Sequence, residues 1–490
     1  MDYCDLFYLK EKDFSLDSLI DSALRPLADG LDNIIFYPIK ILNYDVPIIV
    51  LWLIIAASFF TFYFNFLNIR GFGHAIRVVK GDYKGTSEEG EISYFQALMT
   101  ALSGTIGIGN IGGVAIVISI GGPGAVFWLI VAGLLGMSTK FIECVLGVKY
   151  RKINKDGSIS GGPMYYLERG LRAIGLGKVG KPLGLFYALA IVIGCLGTGN
   201  MFQANQAFQQ FVFVTGSENS FFADKGWLFG LIIALAVGSV IIGGLKRIAR
   251  TTSTMVPFMA IAYLLFAVSI ITLNSDKILW ALGAIVTEAF NSKAMAGGVV
   301  GVIILGFQRA VFSNEAGMGS AAIAHSAVRT KEPVREGFVG LLEPFIDTVI
   351  ICTITSLVIL TTVYEPGMQN SNIQGIELTS QAFASTLSWS VVPLSIIAIL
   401  FAFSTLISWS YYGLKGWTYL FGENKSAKNI FKIIFCLFTL IGCTIQLESV
   451  LKFSDAMVFL VALPNIIGLY LLAPIVKKEL KKYQKKMKAG

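Results

Sequence analysis

The sequence predicts an all-α membrane protein of about eleven transmembrane helices, built as a five-plus-five inverted repeat behind one extra N-terminal span. Three observations carry that expectation. Of 490 residues, 55% are hydrophobic and 14% charged, with a mean hydropathy of +0.69, whereas a soluble domain carries about 25% charged residues. Residues 92–139, 48 in succession, contain no Asp, Glu, Lys or Arg. At about 1.5 Å per residue that run is roughly 70 Å of helix, enough to cross a ~30 Å hydrocarbon core twice. With the first span set aside, the apolar segments fall into two blocks, 95–274 and 297–475, of 180 and 179 residues. Each block holds five spans, and an odd number makes the second block enter the membrane in the opposite sense to the first.

Taken in order, residues 1–45 are polar and mixed in charge. Their stretch DFSLDSLIDSALRPLADGL spaces its apolar residues as a short amphipathic helix lying at a surface would. No basic stretch followed by an apolar core opens the chain, so no signal peptide is expected. The extra span covers 46–68. The first block follows with spans near 95–120, 123–148, 183–214, 227–245 and 252–274. The second has spans near 297–327, 337–363, 390–413, 429–447 and 453–475. Segment 277–291, KILWALGAIVTEAFN, is too short and too charged to cross easily and reads as an interfacial helix.

Charge tests the count. Loops 69–94, 149–182, 244–251, 328–336 and 413–428 with the tail 476–490 hold 28 Lys and Arg, against 8 on the other side. Positive loops are retained inside during insertion. The expectation is a multi-pass protein of the cell membrane with its N-terminus outside and its C-terminus cytoplasmic. The tail 476–490 carries seven lysines and suits anionic lipid headgroups, not nucleic acid, in spite of the net charge of +8. The six cysteines include no CxxC: Cys144, Cys195, Cys352, Cys436 and Cys443 lie in or beside apolar segments, and Cys4 stands alone. With two histidines, His74 and His325, a zinc site is not expected. No cofactor and no obligate protein partner is implied.

The first helix of each block is interrupted. SGTIGIGNIGG (103–113) has glycine at 104, 107, 109, 112 and 113, and LGFQRAVFSNEAGMGS (305–320) is the corresponding stretch of the second block. Broken helix in a membrane interior persists only where it lines a cavity or binds something. Paired interruptions in two inverted halves point to a midplane binding site. A broken helix bares N–H groups at the start of its second half and C=O groups at the end of its first. The N–H groups near Ile108 and Gly109 suit a carboxylate. The carbonyls of Ser103 and Ile106, with the Thr105 hydroxyl, suit a small hard cation. Asn110 can offer its oxygen to a cation or its amide to a bound molecule; the plainer reading of the glycines is close helix packing.

Arg309 and Glu315 are ionisable groups inside the second interrupted helix and require partners. The candidates are each other, or Lys140 and Glu143. Phe312 can cap a pocket and Asn314 can hydrogen-bond an amino acid, or both simply pack. The fourth span adds Asn200, Gln203, Asn205 and Gln206, amides able to orient a zwitterion. The ninth adds the hydroxyls of Ser404 and Thr405, with Trp409 one turn beyond; such hydroxyls also bond back to their own helix.

Together these motifs resemble the alanine or glycine:cation symporter family. FQRAVFSNEAGMGSAAIAHSA (307–327) is the strongest match, supported by GTIGIGNIGGVA (104–115), SGGPMYYLERGL (160–171), NMFQAN (200–205) and FAFSTLISWSYYG (401–413). The resemblance implies the leucine-transporter fold and sodium-driven import of small neutral amino acids, with no catalytic chemistry. It further implies that Thr105, Gly109 and Asn110 touch substrate, that Gln203, Phe312, Asn314 and Trp409 line the pocket, and that the carbonyls of Ser103 and Ile106 with Ser404 and Thr405 hold sodium. Two alternatives stand beside it. Glu315 or Asp347 can carry protons in a proton-coupled symporter, and the TIGIG segment resembles one copy of a potassium-channel filter that needs four.

Overall fold

The computed structural model describes residues 16–41, 44–83, 89–291, 298–365 and 375–489; Cys4 lies outside them. The amphipathic stretch forms α1 (Leu16–Ile35). It runs lengthwise along the first turns of the last helix, α21 (Leu447–Ala489). Arg25 faces Glu448 at 4.0 Å, Asp29 pairs with Lys452 at 3.0 Å, and the Phe36 and Phe459 rings meet edge to face at 5.0 Å. Those contacts recur at one constant offset, so two parallel helices share a seam. A short hairpin pairs Pro38–Ile41 with Tyr44–Pro47, and α2 (Ile48–Tyr63) fills the extra span. Two short helices, α3 (Leu67–Arg70) and α4 (Phe72–Lys80), follow.

The first block opens with α5 (Tyr94–Thr105). Its start is a capping box: the Gln96 amide donates to Ser93 Oγ at 3.2 Å, and the Ser93 amide donates to Gln96 Oε1 at 3.1 Å. Ser93→Ala is expected to cost about 1 kcal/mol, measurable as a lowered midpoint of thermal unfolding in detergent. After an unwound stretch, α6 (Gly112–Lys149) runs through two expected spans. At Gly122 (φ 66°, ψ −171°), a conformation only glycine adopts freely, followed by Pro123, it changes direction. This is the gap the sequence placed between 120 and 123. A helix absent from the sequence reading, α7 (Pro163–Ala173), stands in the long loop that follows.

α8 (Gly177–Leu196) continues into α9 (Phe202–Val214) through a π turn at Gly197–Met201. α10 (Gly226–Ile241) and α11 (Gly244–Leu273) complete the block, and α12 (Ile278–Glu288) occupies the segment read as interfacial. The second block begins with α13 (Gly298–Asn314) and α14 (Ser320–His325), interrupted between them. α15 (Pro333–Gly340), α16 (Leu342–Pro344) and α17 (Thr353–Thr362) form one run through a second π turn at Phe345–Cys352. Another unexpected helix, α18 (Ile376–Thr386), precedes α19 (Val391–Phe421) and α20 (Lys425–Gly442). Among the described residues, six continuous helical stretches are individually long and apolar enough to cross a bilayer.

α13 lies along α6, and α19 packs on α5, α8, α9 and α11. Those two interfaces bring the interrupted helices to the centre of the molecule. α18 closes one end over the first interruption: Thr379 Oγ1 donates to the Ile111 carbonyl at 3.0 Å, and a Cβ on Gly112 would stand 2.9 Å from the Ile376 nitrogen.

Candidate functional site

Both expected interruptions are present. α5 stops because Ile106 turns extended (ψ 91°) and Gly107 continues so (φ −136°, ψ −160°); a single 3-10 turn at Ile108–Asn110 precedes α6. α13 stops at Asn314. Glu315 takes a left-handed conformation (φ 58°), rare for a residue with a side chain, and Gly317 and Gly319 follow with φ 97° and 77° before α14 restarts at Ser320.

Around the first interruption the structure gathers most of the residues expected from the sequence. Ser103 Oγ donates to the Ser404 carbonyl at 2.6 Å, joining α5 to α19. The Ser404 and Thr405 hydroxyls each donate to the Phe401 carbonyl at 3.0 Å. This concentrates uncharged oxygens beside the end of α5, and adds the Phe401 carbonyl, which the sequence reading missed. Thr105 Oγ1 bonds back to the Leu102 carbonyl at 3.3 Å. The Ile108 amide donates to Gln203 Oε1 at 3.1 Å, so α9 holds the unwound main chain in place. Trp409 Nε1 is shared by the Gly104 carbonyl at 3.2 Å and Glu315 Oε1 at 3.0 Å; this one indole touches both interruptions. Phe312 packs edge to face on Phe202 at 5.1 Å and borders Gly109.

Two residues expected to face a bound molecule have their side chains engaged by the chain itself. Asn110 Oδ1 accepts from the Gly107 amide at 2.9 Å, while its Nδ2 donates to Asp347 Oδ1 at 2.6 Å and Ser313 Oγ at 3.2 Å. Asn314 donates to Thr348 Oγ1 at 3.0 Å and accepts from the Ala316 amide at 2.9 Å. Asp347 also takes hydrogen bonds from Ser313 at 2.7 Å and Thr348 at 2.8 Å. A carboxylate with three neutral donors thus ties the two interruptions to the π turn before α17.

The ion pairs correct the expected ones. Arg309 bonds neither Glu315 nor Glu143: its guanidinium makes a two-pronged pair with Asp455 of α21, at 3.1 and 2.5 Å. A planar fork satisfies both carboxylate oxygens, which is the geometry that makes such a pair tolerable away from water. Glu315 is held by Trp409 and Ser320. Lys140 pairs with Glu343 at 3.2 Å, and His325 lies between Glu343 and Glu336. Glu143 accepts from the Gly317 amide and from Asn465 Nδ2, both at 2.9 Å. Asn465 also donates to the Gly317 carbonyl at 2.8 Å and takes the Tyr166 hydroxyl. The GGPMYY motif thereby acquires a role. Its Pro163 lies against Gly319, and Tyr166 braces the asparagine that fixes the second interruption.

A model of the sodium:alanine symporter family matches residues 30–490. The chain belongs to that family. Its relatives include the sodium/alanine symporter AgcS of Methanococcus maripaludis, 38% identical over 440 residues, covering 89% of this chain and 94% of AgcS. The probable sodium/glutamine symporter GlnT of Bacillus subtilis is 34% identical over 436 residues, 88% of this chain and 87% of GlnT. Among solved structures, MhsT in complex with L-phenylalanine matches with a TM-score of 0.57 at 16% identity, covering 79% of this chain and 90% of that one. A manganese transporter of Eremococcus coleocola, the H236A mutant, matches at 0.50 and 14%, covering 80% and 82%. Those likenesses bear on the fold, which is the leucine-transporter arrangement expected above. As a family member this chain is a multi-pass membrane transporter and not an enzyme, and the channel alternative finds no support.

Proposed function

We propose that this protein is a sodium-coupled symporter importing small neutral amino acids, alanine and/or glycine, by alternating access. The observation that carries the reading is the meeting of two unwound segments, 106–111 and 315–319, beside a cluster of uncharged oxygens between α5 and α19. The carbonyls of Ser103 and Ile106 with the Ser404 and Thr405 hydroxyls form the sodium site. None of these groups titrates, which favours a metal cation over a proton. The amino acid occupies the space bordered by Thr105, Gly109, Asn110, Gln203, Phe312, Asn314 and Trp409, its carboxylate taking over the Ile108 amide that Gln203 Oε1 otherwise accepts from. The buried rings of Phe312 and Trp409 limit the space to a small side chain. Blocks 95–274 and 297–475 act as the two inverted repeats, with the N-terminus outside, the C-terminus cytoplasmic and the basic tail on the lipid surface. Cation binding orders the interruptions and selects the substrate-binding state.

Purified protein in vesicles should take up labelled alanine or glycine under an inward sodium gradient and lose that uptake when choline replaces sodium at fixed pH. Uptake that survives choline and follows a proton gradient would transfer the coupling to Glu315 or Asp347. Thr405→Val keeps the shape and removes one oxygen; losing a hydroxyl from a charged ligand costs about 1.5–3 kcal/mol. The sodium concentration for half-maximal uptake should therefore rise roughly tenfold or more.

A further inference from the structure

We infer that the groove between the end of α2 and the lysine-rich part of α21 binds the headgroup of one anionic phospholipid of the phosphatidylglycerol class, a phosphodiester with no positive charge of its own. The inference rests on the reading that the tail 476–490 lies on the lipid surface, and it puts a defined site where that reading asks only for diffuse attraction. The groove is open, holds about 800 Å³, and is lined by Tyr63 with Lys477, Lys478, Lys481, Lys482 and Lys485. At about 100° per residue these five lysines fall within an arc of roughly 140° on one face of the helix. Lys478, Lys481, Lys482 and Lys485 are exposed, and the Lys477 ammonium lies over the Tyr63 ring at 3.9 Å. Among the described residues none of the five forms an ion pair with a carboxylate.

The acids nearby are already engaged. Glu479, which also borders the groove, pairs with Lys149 of α6 at 2.8 Å, and Glu332 takes Lys486 on the opposite face of α21. With the Tyr483–His74 bond at 2.9 Å, these contacts hold the helix with its unpaired face turned to the groove. Ammonium groups so close together repel one another, and an anion shared among them relieves that repulsion. A phosphate suits the place because its oxygens accept charge-assisted hydrogen bonds from several lysines at once. A headgroup ending in choline or ethanolamine would add another cation to the cluster, so the same lysines reject zwitterionic lipids.

The neighbouring surface distinguishes a lipid from a free phosphate. The apolar stretch of α21 ends at Val476, one residue before the first lysine. Towards that stretch, Tyr63 stacks on Phe59 at 5.2 Å, and Phe59 meets Tyr470 of α21 at 5.1 Å. Beside these rings Ile55, Phe62 and Leu471 are exposed. The basic groove is therefore continuous with a bare apolar face shared by α2 and α21. Tyr63 stands at the junction, where an aromatic ring with a polar tip suits a membrane interface. A soluble phosphate would use the lysines alone. A phospholipid uses both surfaces, its phosphate among the lysines and an acyl chain along Ile55 and Phe59.

The test titrates the purified full chain in detergent with phosphatidylglycerol or phosphatidylcholine of matched chains and counts bound lipid by native mass spectrometry, a readout independent of transport. Phosphatidylglycerol should saturate one site at least tenfold more tightly than phosphatidylcholine. Each lysine beside an anionic headgroup is worth roughly fivefold in affinity. Lys478→Gln, Lys481→Gln and Lys482→Gln together should therefore weaken phosphatidylglycerol binding by about tenfold or more. Removing three exposed charges from the first turns of α11, with Lys246→Gln, Arg247→Gln and Arg250→Gln, should leave binding unchanged. Equal weakening by the two triple variants would overturn the groove while leaving diffuse attraction of the basic tail intact. Phosphatidylglycerol bound no more tightly than phosphatidylcholine would overturn both. Displacement of the lipid by an equal concentration of glycerol 3-phosphate would overturn the lipid as occupant.

Discussion

Arg309→Met alone is expected to destabilise the protein by about 3–5 kcal/mol, the usual effect of stranding one member of a buried pair. Asp455 would keep its carboxylate in a setting where it is 6% exposed, with the 3.3 Å bond from Gln308 left, among the described residues, to replace the guanidinium. Set against a net stability of about 5–15 kcal/mol for typical folded proteins, that loss should appear as poor recovery of monodisperse protein and a large drop in thermal midpoint. Asp455→Leu combined with Arg309→Met should restore most of the midpoint, since replacing both charges leaves no unpaired ion. Transport should recover less completely, because the Arg309 guanidinium also lies over the Phe312 ring at 5.8 Å. A double variant no more stable than Arg309→Met would show that the pair's partners matter for something other than their charge.

Gly107→Ala should reduce uptake far more than it reduces stability. A Cβ at that position would stand 2.6 Å from Thr405 Oγ1 and 2.9 Å from Gln203 Oε1. Both neighbours belong to the candidate site, so the methyl group displaces an oxygen of the proposed sodium site and the amide that holds Ile108 together. Overpacking of this kind costs about 1–3 kcal/mol, which as a bias on a binding equilibrium is roughly 5–150-fold. The expected result is near-complete loss of sodium-driven uptake with a thermal midpoint close to that of the wild type. Gly113→Ala is the control: a Cβ there meets nothing within 4 Å, and uptake should be unaffected.

The contrast between those two glycines measures what a sequence can disclose. Both interruptions were legible because glycine density inside an apolar run is at odds with continuous helix, and that conflict is local. Arg309 was equally visible as a residue in need of a partner, but Asp455 stands 146 positions away and only packing decides between it and nearer acids. Asn110 and Asn314 were read as ligands because an amide in an apolar segment has to bond something. Periodicity does not reveal that this something is Asp347 and Thr348 on the π turn before α17. α18 escaped notice because IELTSQAFAST is short and mixes polar with apolar residues. Its helix is stabilised by contacts to Ile111, Gln206 and Gln210 that lie elsewhere in the chain.

The last helix does not end with its apolar stretch. α21 is 43 residues long in all and includes the lysine-rich tail, roughly 65 Å of helical rise. In that tail Glu479 is moored to Lys149 at 2.8 Å, and Tyr483 to His74 at 2.9 Å. The lysines beyond are therefore carried on a helix braced against α4 and α6, not on a free tether.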